Sequence, residues 1–287
     1  MRRLPGPEGL LRRVGALILC AALGAPNALR SQAPTYDVYA VRYAVLPSFP
    51  VAGLVAGADR SRRMDIAMMV WLLTDGAGRR VLVDAGFYRR KFLERWHPQD
   101  YLQPSEAITA AGVSAEAITD IIMTHVHWDH LDGVDLFPNA RVWIQRAEYR
   151  YYVNSDGTPR NRAIDPDNAA ELRALRRSGR LRLVNGDAQE ILPGITCYTG
   201  GRHTYASQYV GVRTAAGAVV LASDNLYLYE NLERRAAIAQ TLDPVANLAA
   251  QERMRAIATD PRLIVPGHDP AVFQRFALIA PGITGIR

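Results

Sequence analysis

One seven-residue stretch, Thr124-His125-Val126-His127-Trp128-Asp129-His130, constrains this chain more than any other. Four side chains able to bind divalent metals fall within six positions, spaced H-x-H-x-D-H. The run Thr119–Met123 just upstream reads as a buried strand that delivers them to a loop. Side chains at a strand end alternate in direction, so His125 and His127 can converge on one metal while Asp129 and His130, past a turn, face a second. The spacing asks for two metal ions.

Other segments repeat the placement of ligating residues at strand ends. Six histidines lie beyond residue 30, and five of them follow predicted strands. His203 stands in Gly200-Gly201-Arg202-His203-Thr204 after the strand Ile195–Thr199, and His268 in Pro266-Gly267-His268-Asp269 after Arg262–Val265. Between them Asp224 ends the apolar strand Ala218–Ala222, where a carboxylate could bridge two ions. Seven candidate ligands thus serve two sites. His97, in Trp96-His97-Pro98, reads as an ordinary hydrogen-bonded histidine.

The strands fall in two groups. Tyr36–Tyr43 alternates as a half-buried strand should, with Pro47 and Pro50 closing it, and Val51–Arg63 reads as an irregular surface loop. Ile66–Thr74 and Arg79–Val83 form a hairpin around Asp75-Gly76-Ala77-Gly78, and Arg141–Gln145 is a further strand. Later come strands Arg180–Val184, Ile195–Thr199, Gln208–Arg213 and Ala218–Ala222. Helices are expected at Ser105–Ala111, Arg146–Tyr152, Asn168–Ser178 with an arginine-rich solvated face, and Ala271–Ile279. Asp243-Pro244 is a capped start for another, running to Ala258. Two sheets packed face to face and covered outside by helices follow from this order: an α+β chain.

The first thirty residues stand apart. Arg2, Arg3, Arg12 and Arg13 precede an apolar stretch, Val14–Ala25, too short for a stable anchor, and small residues follow, which is the pattern of a secretory signal. Residues 1–30 are therefore expected to be an export signal and 31–287 one domain, periplasmic or secreted, with no stable membrane anchor after cleavage. That segment holds five arginines and one glutamate, so the formal charge of +6 falls to +2 without it, which removes the main support for a nucleic-acid partner. Cys20 leaves with the signal and Cys197 remains alone, a buried small apolar residue with no disulfide to form.

With these motifs in hand, the sequence resembles the metallo-β-lactamase superfamily over most of residues 31–287. The resemblance implies a four-layer αβ/βα sandwich with a dinuclear site between the edges of its two sheets. It also implies that His125, His127 and His203 hold one metal, that Asp129, His130 and His268 hold the other, and that Asp224 bridges them. Asp84 would then support the metal loop from behind. Zinc is the first choice for such nitrogen and oxygen donors, with manganese, iron or cobalt fitting the same set.

Within the superfamily, class B β-lactamases lack the bridging aspartate and flavodiiron proteins carry a glutamate in place of a motif histidine, so neither pattern matches. Tyr227, three residues after Asp224, stands where N-acyl-homoserine lactonases carry a tyrosine that hydrogen-bonds the substrate carbonyl. Trp128 takes the place of a bulky aromatic in their histidine motif. The chain is thus similar to that lactonase family, and the similarity implies attack of a metal-bridging hydroxide on a lactone carbonyl. Tyr227 would steady the oxyanion, Asp129 would relay the proton to the ring oxygen, and a small lactone would be the partner. Leu131-Asp132-Gly133 and Tyr205-Ala206 depart from the family pattern, which leaves another ester, a thioester or a β-lactam as the alternative substrate of the same fold. The oligomeric state has no signature in the sequence.

Overall fold

The run Ile66–Leu73 is apolar at almost every position, which in a strand means that both faces are covered. In the computed structural model, which describes residues 34–287, this run sits inside the long strand β2 (Arg63–Asp75) and its side chains divide by parity. Ile66, Met68, Val70 and Leu72 pack under helices on one side, while Ala67, Met69, Trp71 and Leu73 pack between the two sheets. The export segment expected over residues 1–30 lies outside the described residues, which themselves form one unit.

Around β2 stand β1 (Tyr36–Pro50), β3 (Arg80–Val83), β4 (Asp120–Ile122), β5 (Arg141–Gln145) and β6 (Leu181–Val184). Next come β7 (Gln189–Leu192), β8 (Ile195–Thr199), β9 (Gln208–Thr214), β10 (Gly217–Ser223), β11 (Ile264–Pro266), β12 (Ala277–Ala280) and β13 (Ile283–Ile286). One sheet runs β12-β13-β1-β2-β3-β4-β5-β6 and the other β11-β10-β9-β8-β7. In the large sheet β3 to β6 are parallel, and in the small sheet only β10 and β11 pair that way. The strands that lead into site loops therefore end on a common edge.

Three apolar layers separate four structural ones. The first lies between the large sheet and its helices, where Leu172 and Leu175 of the helix Pro166–Arg177 meet Ile121, Val142 and Ile144. The second fills the gap between the sheets, with Val83 and Ile122 facing Val219, Leu221 and Val265. Behind the small sheet, Val220 and Ala222 meet Ala250 and Met254 of the helix Pro244–Ile257. This is the αβ/βα sandwich that the resemblance implied. Asp243 caps that last helix through Ala246 N at 3.0 Å, as its sequence indicated.

Several expectations need correction. Val51–Arg63 is anchored rather than loose at the surface: Val51, Leu54 and Val55 are buried, and Val55 bridges to Ile238. The helix expected over Ala271–Ile279 is only Val272–Arg275, and the rest forms the hairpin β12–β13 against β1. Apolar residues at 277–279 and 283–286 carry no period that separates a short helix from an edge hairpin. The helix Arg90–Trp96 and strand β7 were not foreseen. His97 ends that helix in a left-handed conformation, φ 45°, as an exposed residue. Cys197 is a buried free thiol. Among the described residues no helix is long and apolar enough to cross a membrane.

Candidate metal centre

All seven residues singled out as ligands come together at the shared sheet edge. They divide into two sets, His125, His127, His203 and Asp224 in one, and Asp129, His130, His268 and Asp224 in the other. In the first set His127 Nδ1 lies 3.1 Å from His125 Nε2 and 2.8 Å from His203 Nε2. Asp224 Oδ2 completes it at 3.6 Å from His125 Nε2 and 3.2 Å from His203 Nε2. Metal–nitrogen bonds of about 2.0–2.1 Å in a tetrahedron place donors roughly 3.3 Å apart, so these separations fit a four-coordinate ion. The other oxygen, Asp224 Oδ1, lies 3.1 Å from His130 Nε2 and 3.0 Å from His268 Nε2. Asp129 Oδ2 is 3.4 Å from His130 Nε2 and 3.8 Å from His268 Nε2. One carboxylate therefore gives one oxygen to each set.

The remaining ring nitrogens fix which atom each histidine offers. His203 Nδ1 meets Gln240 O at 2.8 Å and His268 Nδ1 meets Ala67 O at 3.0 Å; a carbonyl only accepts, so both Nδ1 atoms carry the proton. His130 Nδ1 likewise donates to Asp84 Oδ2 at 2.8 Å. Asp84 also accepts from Thr124 N at 2.8 Å and from the hydroxyls of Thr124 and Ser223 at 2.9 Å, which leaves Thr124 Oγ1 free to accept from His125 Nδ1 at 3.0 Å. In all four rings Nε2 is the atom turned toward the centre.

Charge and burial fit a divalent cation. His130 Nε2 and Asp224 Oδ1 are buried with no hydrogen-bond partner among the described residues, a condition that a shared ion would relieve. Burial holds His125 well below the usual imidazole range and brings His127 to about 3, so both are neutral ligands at physiological pH. Burial works against charge at His130 and His268 too, but Asp224 and Asp129 outweigh it and raise both. Two carboxylates in one buried pocket thus draw positive charge from whatever can supply it. Tyr227 is driven well above the ordinary phenol range by burial first and by Asp224 and Asp129 next, so it keeps its proton. Its hydroxyl lies 3.3 Å from His203 Nδ1.

The loops that hold these groups are strained. Asp84, Ser223 and Arg202 take positive φ of 61°, 47° and 58° without being glycine, a cost of about 1–3 kcal/mol each. Gly267 is required by close approach: a Cβ there would stand 2.8 Å from the Ser223 backbone and 3.1 Å from Asp224 Oδ1.

A cavity of about 310 Å³ opens onto the centre, with His127, Asp129, Asp224, Tyr227 and His268 at its base. Leu46, Phe49, Leu54, Ile66, Trp96 and Trp128 give it apolar walls. Trp128 is locked between rings, 5.3 Å from Trp96 at 6° and 4.8 Å from Phe92 at 25°. Phe92 and Trp96 come from the unforeseen helix Arg90–Trp96, so this half of the wall was not legible in advance. Ser223 was missed as well, although it directly precedes Asp224 and its hydroxyl is of the type that serves such a carboxylate.

The model of the metallo-beta-lactamase superfamily matches residues 68–268. The N-acyl homoserine lactonase AiiA of Bacillus thuringiensis subsp. kurstaki is 27% identical over 161 residues, which is 55% of this chain and 58% of the relative. The chain thus spans less than two thirds of that curated relative's length. A crystal structure of a quorum-quenching N-acyl homoserine lactone lactonase aligns with a TM-score of 0.68 at 19% identity, covering 86% of this chain and 98% of the other. The structure of AidC, a dizinc quorum-quenching lactonase in complex with a product, aligns at 0.64 with 15% identity, covering 89% and 95%. At such identities the structural likeness speaks to the fold.

Proposed function

The chain belongs to the metallo-beta-lactamase superfamily, and on that footing we propose that it is a metal-dependent hydrolase that opens the ring of N-acyl homoserine lactones. The observation that carries the reading is the protonated phenol of Tyr227, set beside the converged donors at the base of an apolar cavity. Most of the lining above the donors is hydrocarbon and aromatic, suited to an acyl chain, with Arg95 and Arg162 also on it. The lactonase relatives support the same substrate class.

We take zinc as the resident ion, two per chain, held by His125, His127 and His203 on one side and by Asp129, His130 and His268 on the other, with Asp224 shared. When bound, such ions supply hydroxide from water near neutral pH and polarise the ester carbonyl. The chain's own groups do the rest. Tyr227 donates its hydrogen bond to the carbonyl oxygen as negative charge grows there, an interaction of about 3 kcal/mol for a preorganised donor. As the bond from carbonyl carbon to ring oxygen breaks, Asp129 passes the water-derived proton to that oxygen, and the product is the open N-acyl homoserine. Trp128 and Trp96 hold the acyl chain and exclude water from one flank.

Metal-loaded protein should open N-acyl homoserine lactones of graded chain length, read as acid release at constant pH, with two metals per chain by elemental analysis. Cleavage of thioesters, phosphodiesters or β-lactams with no lactone opened would overturn the assignment. Residues 1–30 we assign to export and residues 31–287 to a periplasmic or secreted enzyme, on their charge and hydropathy pattern. Recovery of uncleaved protein from the cytoplasm of a native host would contradict that.

A further inference from the structure

The helix Arg146–Tyr152 lies outside the metal centre, yet it places one carboxylate, Glu148, in the protein interior with no cation paired to it among the described residues. That carboxylate is bound by the loop that follows His203. Its Oε1 accepts from Thr204 Oγ1 at 2.5 Å and its Oε2 from Ala206 N at 2.6 Å. A buried, unpaired carboxylate is costly unless donors compensate it, so it depends on these two bonds from the loop after His203. Tyr152, from the same helix, adds a second tie, its hydroxyl accepting from Tyr205 N at 3.2 Å.

The helix packs on β5 and β6 of the large sheet, so it ties the loop that carries His203 to the sheet whose own loop carries His125 and His127. The loop at 125–127 extends from the large sheet and the loop at 200–206 from the small one, and His127 Nδ1 must stand 2.8 Å from His203 Nε2 across the gap. Arg202, the residue before His203, is in a left-handed conformation that an unsupported loop would relax. The second ligand set has different supports: Asp84 behind His130 and the Ala67 carbonyl behind His268.

We infer that Glu148 is a positioning residue for the first metal site alone, a buried clip that holds His203 against His125 and His127 and leaves the second site unaffected. The inference rests on the reading that these histidines hold metal.

Zinc affinity of the two sites, by competition with chelators of graded strength and by site occupancies from anomalous diffraction, tests it with no reference to turnover. Glu148→Met keeps the volume and removes both acceptors; it should weaken zinc at the first site by roughly 10- to 100-fold and leave the second as in the wild type. Glu148→Gln can still accept from Ala206 N, and its amide can donate to Thr204 Oγ1, so it should restore most of the loss. Thr204→Val removes one donor and should give a smaller loss at the same site; it also carries the test if Glu148→Met does not fold. Equal weakening at both sites, or no change at either, would overturn the clip. Wild-type protein that takes up no zinc would instead overturn the metal reading itself.

Discussion

Asp84→Asn is the perturbation that most directly tests how the centre is held. The carboxylate is fully buried and serves four donors: Thr124 N, Thr124 Oγ1, Ser223 Oγ and His130 Nδ1. Asparagine tolerates the left-handed backbone at φ 61°, so the substitution changes chemistry rather than conformation. It offers one acceptor oxygen where there were two. If the amide nitrogen faces His130, that ring must move its proton to Nε2, and the atom meant for the metal becomes a donor. If the nitrogen faces Thr124, the buried Thr124 N–H loses its acceptor. A lost charge-assisted bond is worth about 1.5–3 kcal/mol, and the metal-free protein should be destabilised by that amount in a denaturant titration. Metal at the second site should weaken by roughly 10- to 100-fold, because His130 loses the partner that fixes its tautomer. Ser223→Ala, which removes one donor and leaves the carboxylate, should cost about 1 kcal/mol with the metals retained. If Asp84→Asn holds both metals at wild-type affinity, the tautomer argument for this site is wrong.

Three further outcomes follow from the geometry. Asp224→Asn should lose one of the two metals, since its two oxygens serve different ligand sets; an unchanged content by elemental analysis would end the bridging role. Tyr227→Phe should lower kcat by about a hundredfold with both metals in place, the cost of one oxyanion donor, and unaltered kinetics on every lactone would remove Tyr227 from the reaction. Metal-free protein should be most stable near pH 6.5. Below that pH the unfolded chain protonates histidines that the fold keeps neutral, His127 down to about 3, so stability falls with acid by up to about 1.4 kcal/mol per pH unit for each such group. Above pH 6.5 the raised His130 and His268 stay protonated only in the fold, so their stabilisation drains away as pH rises. Denaturation midpoints across pH 4–9 that rise steadily through 6.5 would contradict this.

The ligand set was legible because metal chemistry restricts residue type and strand ends restrict position. His125, His127, His130, His203, Asp224 and His268 each follow a strand whose apolar run is plain in the sequence. The four-layer order was legible for a related reason: β2 is apolar on both faces, and only a sheet covered twice can use such a strand. The groups that hold the ligands were harder to see. The Gln240 and Ala67 carbonyls have no residue-type signal at all, since any amino acid provides a carbonyl. Glu148 sits in an Arg146–Tyr152 segment whose sequence shows a helix and no more, and only tertiary packing turns its carboxylate inward. Trp96 in the wall, and Phe92 stacked on Trp128, come from a seven-residue helix with charged residues at four positions, too short for its apolar side to register.

The division of ligands between the sheets has a consequence for folding. The large sheet supplies His125, His127, Asp129 and His130 from the loop after β4. The small sheet supplies His203 after β8, Asp224 after β10 and His268 after β11. Each ligand set takes two donors from the first loop and its remaining donors from the other sheet, so neither set exists until the sheets have packed. Binding two ions therefore stabilises the packed state by RT ln(1 + [M]/Kd) for each and leaves each separate sheet unaided. The apolar layer between the sheets, Trp71, Val83 and Ile122 against Val219, Leu221 and Val265, has to assemble first. Metal enters a site already drawn close by hydrocarbon burial, where the histidine nitrogens and the Asp224 carboxylate already converge.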